Sequence, residues 1–102
     1  MLSNDEIYIG TKLKYLLEIG CSGFNMDEDR FTVDIMRGPN TIHLEKEDLE
    51  MDENGCWYVC FDTMELGTGV VTAKVTAYVT DTDYPDEIRT EVQKIKLVNI
   101  VA

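Results

Sequence analysis

The chain has few of the residues that bind polyanions. Of its 102 residues, nine are Lys or Arg and 20 are Asp or Glu, which gives a formal net charge of −11. A charge of this sign repels phosphate backbones and anionic lipid head groups, so we expect neither nucleic acid nor a membrane as partner. The basic residues are scattered along the chain, and the tightest group is Lys94 with Lys96.

Long apolar runs and targeting signals are also missing. No run approaches the roughly 18 apolar residues that a membrane-spanning helix needs. The first ten residues, MLSNDEIYIG, carry acids where a signal peptide has a basic start and an apolar segment. The cysteine count is three, an odd number that cannot pair completely, and reducing compartments keep thiols free. The sequence therefore predicts a protein that is not exported.

Cysteine and histidine are too few, and wrongly spaced, to predict chemistry. Cys56 and Cys60 lie four residues apart on one predicted strand, about 13 Å at ~3.3 Å per residue, which is too far for a disulfide. Cys21 and the only histidine, His43, cannot complete a tetrahedral zinc site. His43 lies on the polar face of its strand and has no nucleophile beside it. We predict buried or half-buried free thiols, no catalytic residue, no cofactor and no enzyme activity.

Alternation of apolar and polar residues dominates the chain and predicts β-strands. The predicted strands comprise residues 6–9, 12–19, 30–37, 41–46, 56–61, 69–80 and 89–102. The segment 12–19 could instead form a short amphipathic helix through Leu13, Leu16 and Leu17, but its neighbours are strands and we favour a strand. In the last segment, Val92 and Ile95 cannot share a face without a β-bulge.

Seven short strands with a turn signal about every ten residues predict one all-β domain, an antiparallel sandwich spanning residues 1–102. The sequences GPN and DENG predict turns between strands. The polarity of each strand selects the predicted core: Tyr8, Leu16, Phe31, Val33, Ile35, Ile42, Leu44, Trp57, Val59, Phe61, Val71, Ala73, Val75, Val79 and Ile95.

The most acidic stretch, DTDYPDE, lies between the last two predicted strands. Asp81, Asp83 and Asp86 are weak candidate ligands for Ca²⁺, which binds six to eight oxygens. An EF-hand is excluded, because counting from Asp81 the sixth position is Asp86 instead of Gly and the twelfth is Val92 instead of Glu. We favour an acidic hairpin turn whose Asp side chains accept hydrogen bonds from turn amides.

Two other short motifs have structural explanations. The Gly-Thr-Gly sequence at 67–69 lacks the Lys-Ser or Lys-Thr of a phosphate-binding loop, and we interpret it as a tight turn. Asp62 and Thr63 end a predicted strand, where their side chains can bond to free turn amides. The acidic segments 26–30 and 45–55 are typical of solvated loops, which could also face a basic partner.

Exposed tyrosines and the acidic turn supply the candidate contact residues for a protein partner. Tyr58 and Tyr78 would form one amphipathic patch if they lay close together, since Tyr is favoured at interfaces. The alternative is an ordinary solvent face with scattered aromatics. The candidate partner-contact residues are Tyr58, Tyr78, Asp83, Tyr84, Asp86 and Glu87.

Four stretches resemble a known family. They are GFNMDEDRFTVDIMRG at 23–38, EKEDLEMDENGCWYVCFDT at 45–63, LGTGVVTAKVTAYV at 66–79 and DTDYPDEIRTEV at 81–92. Together they resemble the small immunoglobulin-like β-sandwich domains of phage tails, of the type at the amino end of baseplate upper proteins, and especially stand-alone versions from prophages of gut bacteria. One departure is at position 87, where Glu replaces the Gly common in those relatives. A left-handed backbone at Glu87 would cost more than at glycine.

The resemblance implies an immunoglobulin-like sandwich of about seven strands and a non-enzymatic role. The expected function is a structural or adaptor component of a phage or prophage tail or baseplate, acting through contacts with copies of itself or with neighbouring tail proteins. The implied location is the cytoplasm of a bacterial host and then the virion. The alternative is a carbohydrate- or receptor-binding β-sandwich module, which needs exposed aromatics beside polar loop groups.

Overall fold

The computed structural model describes residues 6–102, and this part of the chain consists of β-strands joined by turns and two short 3-10 helices, Lys46–Asp48 and Thr63–Glu65. The strands are β1 Glu6–Tyr8, β2 Lys12–Leu17, β3 Phe31–Arg37, β4 Asn40–Glu45, β5 Glu50–Met51, β6 Trp57–Asp62, β7 Gly69–Thr80 and β8 Ile88–Val101. All seven predicted strands are present. The additional strand, β5, has two residues and lies in a stretch that was predicted as polar loop.

Two sheets form a sandwich-like arrangement. The larger sheet has the strand order β1-β8-β7-β3-β4, and the smaller sheet has the order β2-β6-β5. The all-β fold with two facing sheets agrees with the predicted sandwich. The prediction of purely antiparallel pairing was wrong for one pair, because β1 runs parallel to β8 while the other strand pairs are antiparallel. Two strands so far apart in sequence give no local signal of their direction.

The segment 12–17 is a strand because its alternation of inward and outward side chains matches that of its neighbour β6. Leu13 lies opposite Phe61 and Leu17 opposite Trp57, so the inward residues of both strands coincide. The intervening side chains of Lys12, Lys14 and Leu16 are exposed. Apolar residues with period two are buried on one face only if the backbone is extended. The helical alternative was wrong.

Most of the predicted core is buried, and three members were placed wrongly. Tyr8, Leu16 and Ile95 are 56%, 51% and 49% exposed. Tyr8 lies on an edge strand, and Leu16 pairs with outward-facing Tyr58. Ile95 faces inward opposite Ala73, but the smaller sheet leaves it half uncovered.

The remaining predicted core residues are buried or pack against the core. Ile42, Leu44 and Trp57 are half-buried, and the other nine are buried: Phe31, Val33, Ile35, Val59, Phe61, Val71, Ala73, Val75 and Val79. Ala77, which the alternation of its strand places inward, is also buried, and four further buried apolar residues were not predicted, namely Leu49, Leu66, Val98 and Ile100.

A β-bulge in β8 changes which of its residues face the core. Val71 pairs with Val98, whereas the next residue, Thr72, pairs with Lys96, so Leu97 is the extra residue. The bulge allows Ile95 and Val98, three residues apart, both to face inward. Val92 pairs with outward-facing Thr76 and is exposed, so it does not share the inner face.

Within residues 6–102, no helix is long and apolar enough to cross a membrane.

Candidate protein-contact surfaces

The acidic stretch between β7 and β8 is a hairpin turn, as predicted. The amide of Asp81 donates to the carbonyl of Glu87 at 2.9 Å, and the amide of Glu87 donates to the carbonyl of Tyr84 at 2.9 Å. Aspartate side chains cap the turn: Asp81 accepts from the amide of Asp83 at 3.0 Å, and Asp86 accepts from the amide of Ile88 at 3.2 Å. These carboxylates satisfy turn amides that the strands leave free.

Arg89 fixes the base of this turn. Its Nη2 donates to the carbonyl of Ser22 at 2.9 Å, and its Nη1 donates to Glu91 at 3.0 Å. Its Nε lies 3.2 Å from Oδ2 of Asp81, as an ion pair that is not aligned for a hydrogen bond. Both carboxylate oxygens of Asp81 therefore already have partners.

The structure does not gather the weak metal candidates Asp81, Asp83 and Asp86 into a site. Nowhere in residues 6–102 do three or more His, Cys, Asp or Glu side chains come together in a group that could hold a metal ion. At the tip of the turn, Tyr84 is 47% exposed and Asp83, Asp86 and Glu87 are exposed around it. The tip is therefore an acidic surface with one aromatic side chain.

Tyr58 and Tyr78 do not form the single patch that was considered for them. Tyr58 lies on the outer face of the smaller sheet, and Tyr78 lies on the outer face of the larger one, so the sandwich separates them. A cation covers each ring: Nζ of Lys14 lies 4.4 Å from the Tyr58 centroid, and the guanidinium of Arg30 lies 4.6 Å from that of Tyr78. The Tyr58 hydroxyl also donates to Asp52 at 3.2 Å, a hydrogen bond that raises the pKa of Tyr58.

The outer face of the larger sheet carries a charge cluster that sequence reasoning missed. The ring of His43 lies between Asp34 and Glu45, with Nδ1 and Nε2 each 2.6 Å from a carboxylate oxygen. Arg30 bonds to the other oxygen of Glu45 at 3.1 Å. A short hairpin turn at GPN sets Asp34 opposite His43, so the register of this hairpin was the available signal.

Asp62 and Thr63 have the structural role that was predicted. Asp62 accepts a hydrogen bond from the amide of Met64 at 2.9 Å, which caps the 3-10 helix that follows. The buried Thr63 hydroxyl accepts from the amide of Gly10 at 2.9 Å and donates to the carbonyl of Thr11 at 2.8 Å. Thr63 therefore fastens the β1–β2 connection to the end of β6.

The Gly-Thr-Gly motif makes room for an arginine. Nε of Arg37 and the side-chain amide of Asn40 both donate to the carbonyl of Leu66 at 2.8 Å. A Cβ atom at Gly69 would lie 2.8 Å from Cδ of Arg37, and one at Gly67 would lie 3.0 Å from its Nη2. This is a turn that packs closely on a side chain, in agreement with the structural interpretation.

The cysteines are free, and one of them is more exposed than predicted. Cys21 and Cys56 are half-buried, whereas Cys60 is exposed on the outer face of the smaller sheet, opposite Lys14. The prediction of a buried or half-buried thiol was therefore wrong for Cys60. Burial, followed by a hydrogen bond to Glu91, raises the pKa of the Cys21 thiol, which keeps it protonated and weakly nucleophilic.

One side of the sandwich is open. Among the strands of residues 6–102, β2 pairs with β6 alone, so its other edge is free within this part of the chain. Beside that edge lies a cavity of about 170 Å³, lined by residues from both sheets: Tyr15, Leu16, Leu17, Val33, Ile35, Val59, Ala73, Val75, Ile95 and Leu97. Ile95 is half exposed at this place, and Leu16 is half exposed on the outer face of β2. The lining is apolar apart from the Tyr15 hydroxyl, which suits hydrophobic contact better than proton transfer.

Comparison of the chain with protein families, curated proteins and solved structures gave no match.

Proposed function

We propose that the protein is a non-enzymatic, immunoglobulin-like domain that acts through protein–protein contacts. The strand order supports the immunoglobulin-like assignment, because β4-β3-β7-β8 and β2-β6-β5 correspond to the C′-C-F-G and B-E-D orders of such sandwiches. Two features depart from antibody domains. The cysteines in residues 6–102 are free, and Trp57 lies on β6 instead of the third strand.

One observation carries the contact function: the apolar opening beside the free edge of β2. Ile95 leaves about half of its surface in water there, next to an apolar cavity, and Leu16 leaves about half of its surface in water on the outer face of β2. Burying such side chains against a partner gains roughly 25 cal/mol per Å² of apolar area. A free strand edge adds unpaired backbone groups that a partner can bind.

The setting that we propose is the tail or baseplate of a phage or prophage, as a structural or adaptor component. This part of the proposal rests on the resemblance of the segments at 23–38, 45–63, 66–79 and 81–92. The acidic tip with Tyr84, Asp83, Asp86 and Glu87 is a second surface available to neighbouring tail proteins. Its carboxylates would select a basic surface and accelerate encounter with it.

The test is whether the protein is part of a particle. The prophage is induced in the bacterium that carries the gene, particles are purified on a density gradient, and peptides of the chain are quantified against a known tail protein. We expect a constant ratio across the particle fractions. A chain that stays with the soluble lysate and never enters particles would contradict the proposal.

A matched pair of variants tests the apolar opening in the same experiment. Ile95→Glu places a charge at the opening, whereas Thr90→Glu adds the same charge on the exposed outer face of the same strand. We expect Ile95→Glu to reduce incorporation strongly and Thr90→Glu to leave it unchanged. Equal incorporation of both variants would show that the opening is not the contact surface.

Carbohydrate or receptor binding is the second candidate, and the acidic tip supports it. Tyr84 is 47% exposed beside Asp83 and Asp86, a combination of an aromatic face and hydrogen-bond acceptors. The other strongly exposed tyrosine, Tyr8, pairs with Val101 at the opposite end of the hairpin and cannot extend the same platform. Glycan-array binding that Tyr84→Ala abolishes would favour this function.

A further inference from the structure

The place beside β2 is empty in the described part of the chain, residues 6–102. In an immunoglobulin sandwich with the sheet order A-B-E-D, the first strand lies next to the second. Here the first described strand, β1, pairs with β8 in the other sheet, and β2 keeps one free edge. This edge has no bulge in its pairing with β6, no proline and no glycine over Lys12–Leu17. Bulges and prolines are two of the devices that protect an edge from pairing, and of the others this edge carries the exposed charges of Lys12 and Lys14.

The residues along this edge are arranged symmetrically about Tyr15. Leu13 and Leu17 lie two positions to either side of it and face inward. Three positions to either side are Lys12 and Glu18, which are both exposed and carry opposite charges. Exposed Lys14 and Leu16 lie between them, one position from Tyr15. An antiparallel copy of the same segment, centred on Tyr15, would therefore place unlike charges opposite each other at both ends. On the inner face it would place leucines opposite each other.

We propose that β2 is a self-pairing edge, on which a second copy of this chain adds its own β2 in antiparallel register about Tyr15. In this register Lys12 lies opposite the partner's Glu18 and Leu13 opposite the partner's Leu17, each twice because the contact is symmetric. The two smaller sheets join into one continuous sheet. This inference rests on the proposed protein-contact function and names its partner.

Charge distinguishes this register from the slip in one direction, and strand length distinguishes it from the slip in the other. A slip that centres the pair on Lys14 places the Lys14 side chains of the two copies directly opposite each other, and like charges in this position are destabilising. It also places Glu18 opposite Gly10. A slip that centres it on Leu16 places Lys14 opposite Glu18, but it also places Lys12 opposite Gly20 and gives up one end of the strand. It also draws Lys14 away from the Tyr58 ring, which it covers at 4.4 Å. Only the register about Tyr15 uses the full length of β2 with both terminal charges paired.

The apolar opening is compatible with such a partner. Tyr15, Leu16 and Leu17 of β2 and Ile95 of β8 line the cavity beside the free edge. Inward side chains of an added strand enter the space next to these residues, because alternate residues of a strand point to the same face. The net charge of −11 on each copy opposes association, but at physiological ionic strength this repulsion is screened beyond roughly 8 Å, whereas contacts across the edge are closer.

The test is a charge exchange across the pair, measured by sedimentation velocity at physiological salt over a hundredfold concentration range. For the wild-type chain we expect a monomer–dimer equilibrium. Lys12→Glu and Glu18→Lys, each alone, oppose like charges at both ends, and we expect each to weaken association about tenfold or more. When the two variants are mixed one to one, a heterodimer has a Glu opposite a Lys at both ends of the pair. We therefore expect the mixture to dimerise as a heterodimer.

Lys14→Glu is the matched control, since it makes the same change two residues away on the same face. Alone, it leaves both Lys12–Glu18 pairs intact and should dimerise like the wild type, and a loss of association equal to that of Lys12→Glu would overturn the register about Tyr15. A wild-type monomer at every concentration, or a dimer indifferent to Lys12→Glu, would overturn self-pairing. Neither result affects whether the chain is found in particles, so failure of this inference and failure of the proposed function remain distinguishable. Circular dichroism of each variant verifies the fold.

Discussion

The Nδ1 atom of His43 lies 2.6 Å from Oδ1 of Asp34, directly across the β3–β4 pair. The other ring nitrogen lies 2.6 Å from Glu45. A carboxylate can only accept, so both ring nitrogens donate, and only the charged imidazolium has two donors. The hydrogen bond to Asp34, and then the one to Glu45, raise the pKa of His43 above its ordinary value of 6.5.

The first prediction is a pH-dependent contribution of His43 to stability. Because its pKa is raised in the folded state, its contribution is fully present below the unfolded pKa of about 6.5 and is lost as the pH rises through the folded value. Urea unfolding of the wild type should show stability falling across that window, and His43→Gln should remove the fall. His43 is the only histidine in the chain, so its imidazole NMR signals report the pKa directly.

Asp34→Asn tests whether the hydrogen bond to the Asp34 carboxylate is what raises the pKa of His43. The amide cannot hold the imidazolium as the carboxylate does, so the measured pKa of His43 should drop towards its ordinary value while the fold persists. Asp48→Asn changes a carboxylate that bonds to the backbone amide of Glu45, and should leave the His43 pKa nearly unchanged. A pKa of His43 that is the same in the wild type and in Asp34→Asn would contradict this account.

The second prediction concerns the buried hydroxyl of Thr63. Thr63→Val keeps the shape but leaves the Gly10 amide without its acceptor and removes the bond to the Thr11 carbonyl. The Gly10 amide is part-buried, so we expect the free energy of unfolding to fall by about 1 kcal/mol, the lower end of the cost of an unpaired buried donor. Thr72→Val, the same change on the outer face of β7, should stay within about 0.5 kcal/mol of wild type.

The readout is the fluorescence of Trp57, the only tryptophan, during urea unfolding. Its ring packs edge-on against Phe31 at 5.8 Å, so it senses loss of the core. Equal stability of Thr63→Val and Thr72→Val would show that the Thr63 hydroxyl does not fasten the β1–β2 connection.

How far the sequence predicts this fold depends on the range of the interaction. The strand at Gly69–Thr80 has the predicted limits, because five inward apolar residues alternate along it and a local pattern is enough. Leu49 and Leu66 are buried but lie in or beside 3-10 turns, outside any alternation, so no periodicity marks them. Their burial follows from packing between segments that are distant in sequence.

In the contact surfaces, too, local features could be predicted from the sequence and features that depend on distant strands could not. The Asp caps of the 81–87 turn could be predicted, since they involve neighbouring residues. The separation of Tyr58 and Tyr78 could not be predicted, because sheet membership depends on which distant strands pair. Leu16 and Ile95 have the apolar character of core residues, but Leu16 faces outward opposite Tyr58, and the cover over β8 is incomplete at Ile95.

The third prediction is that Glu87 strains the acidic turn. Its backbone has a φ of 60°, the only positive value at a non-glycine residue in the part of the chain described. A left-handed conformation costs an ordinary L-residue roughly 1–2 kcal/mol, a cost that glycine avoids. Glu87→Gly should therefore raise the free energy of unfolding by about 1 kcal/mol, measured by urea unfolding.

Removal of a negative charge from an acidic turn could also stabilise it, and Glu87→Gln separates the two causes. Glutamine is uncharged but keeps the backbone strain, so this variant should gain less than Glu87→Gly. If glutamine stabilises as much as glycine, charge repulsion and not backbone conformation is the cause.

The last prediction is a coupling between Gly69 and Arg37. Gly69 has a φ of 132°, and a Cβ atom there would lie 2.8 Å from Cδ of Arg37. Gly69→Ala therefore suffers both backbone strain and a steric clash, and we expect it to lose about 1–3 kcal/mol of stability. Arg37→Ala removes the clashing atoms, while Asn40 still donates to the carbonyl of Leu66 at 2.8 Å.

A double-mutant cycle isolates the clash, since the backbone strain at position 69 is the same in both backgrounds and cancels. We expect Gly69→Ala to cost less in the Arg37→Ala background than in the wild type, with a coupling free energy of about 0.5–2 kcal/mol. Additive losses would mean that the flexible Arg37 side chain moves aside without cost. The glycine would then be required for its backbone conformation alone.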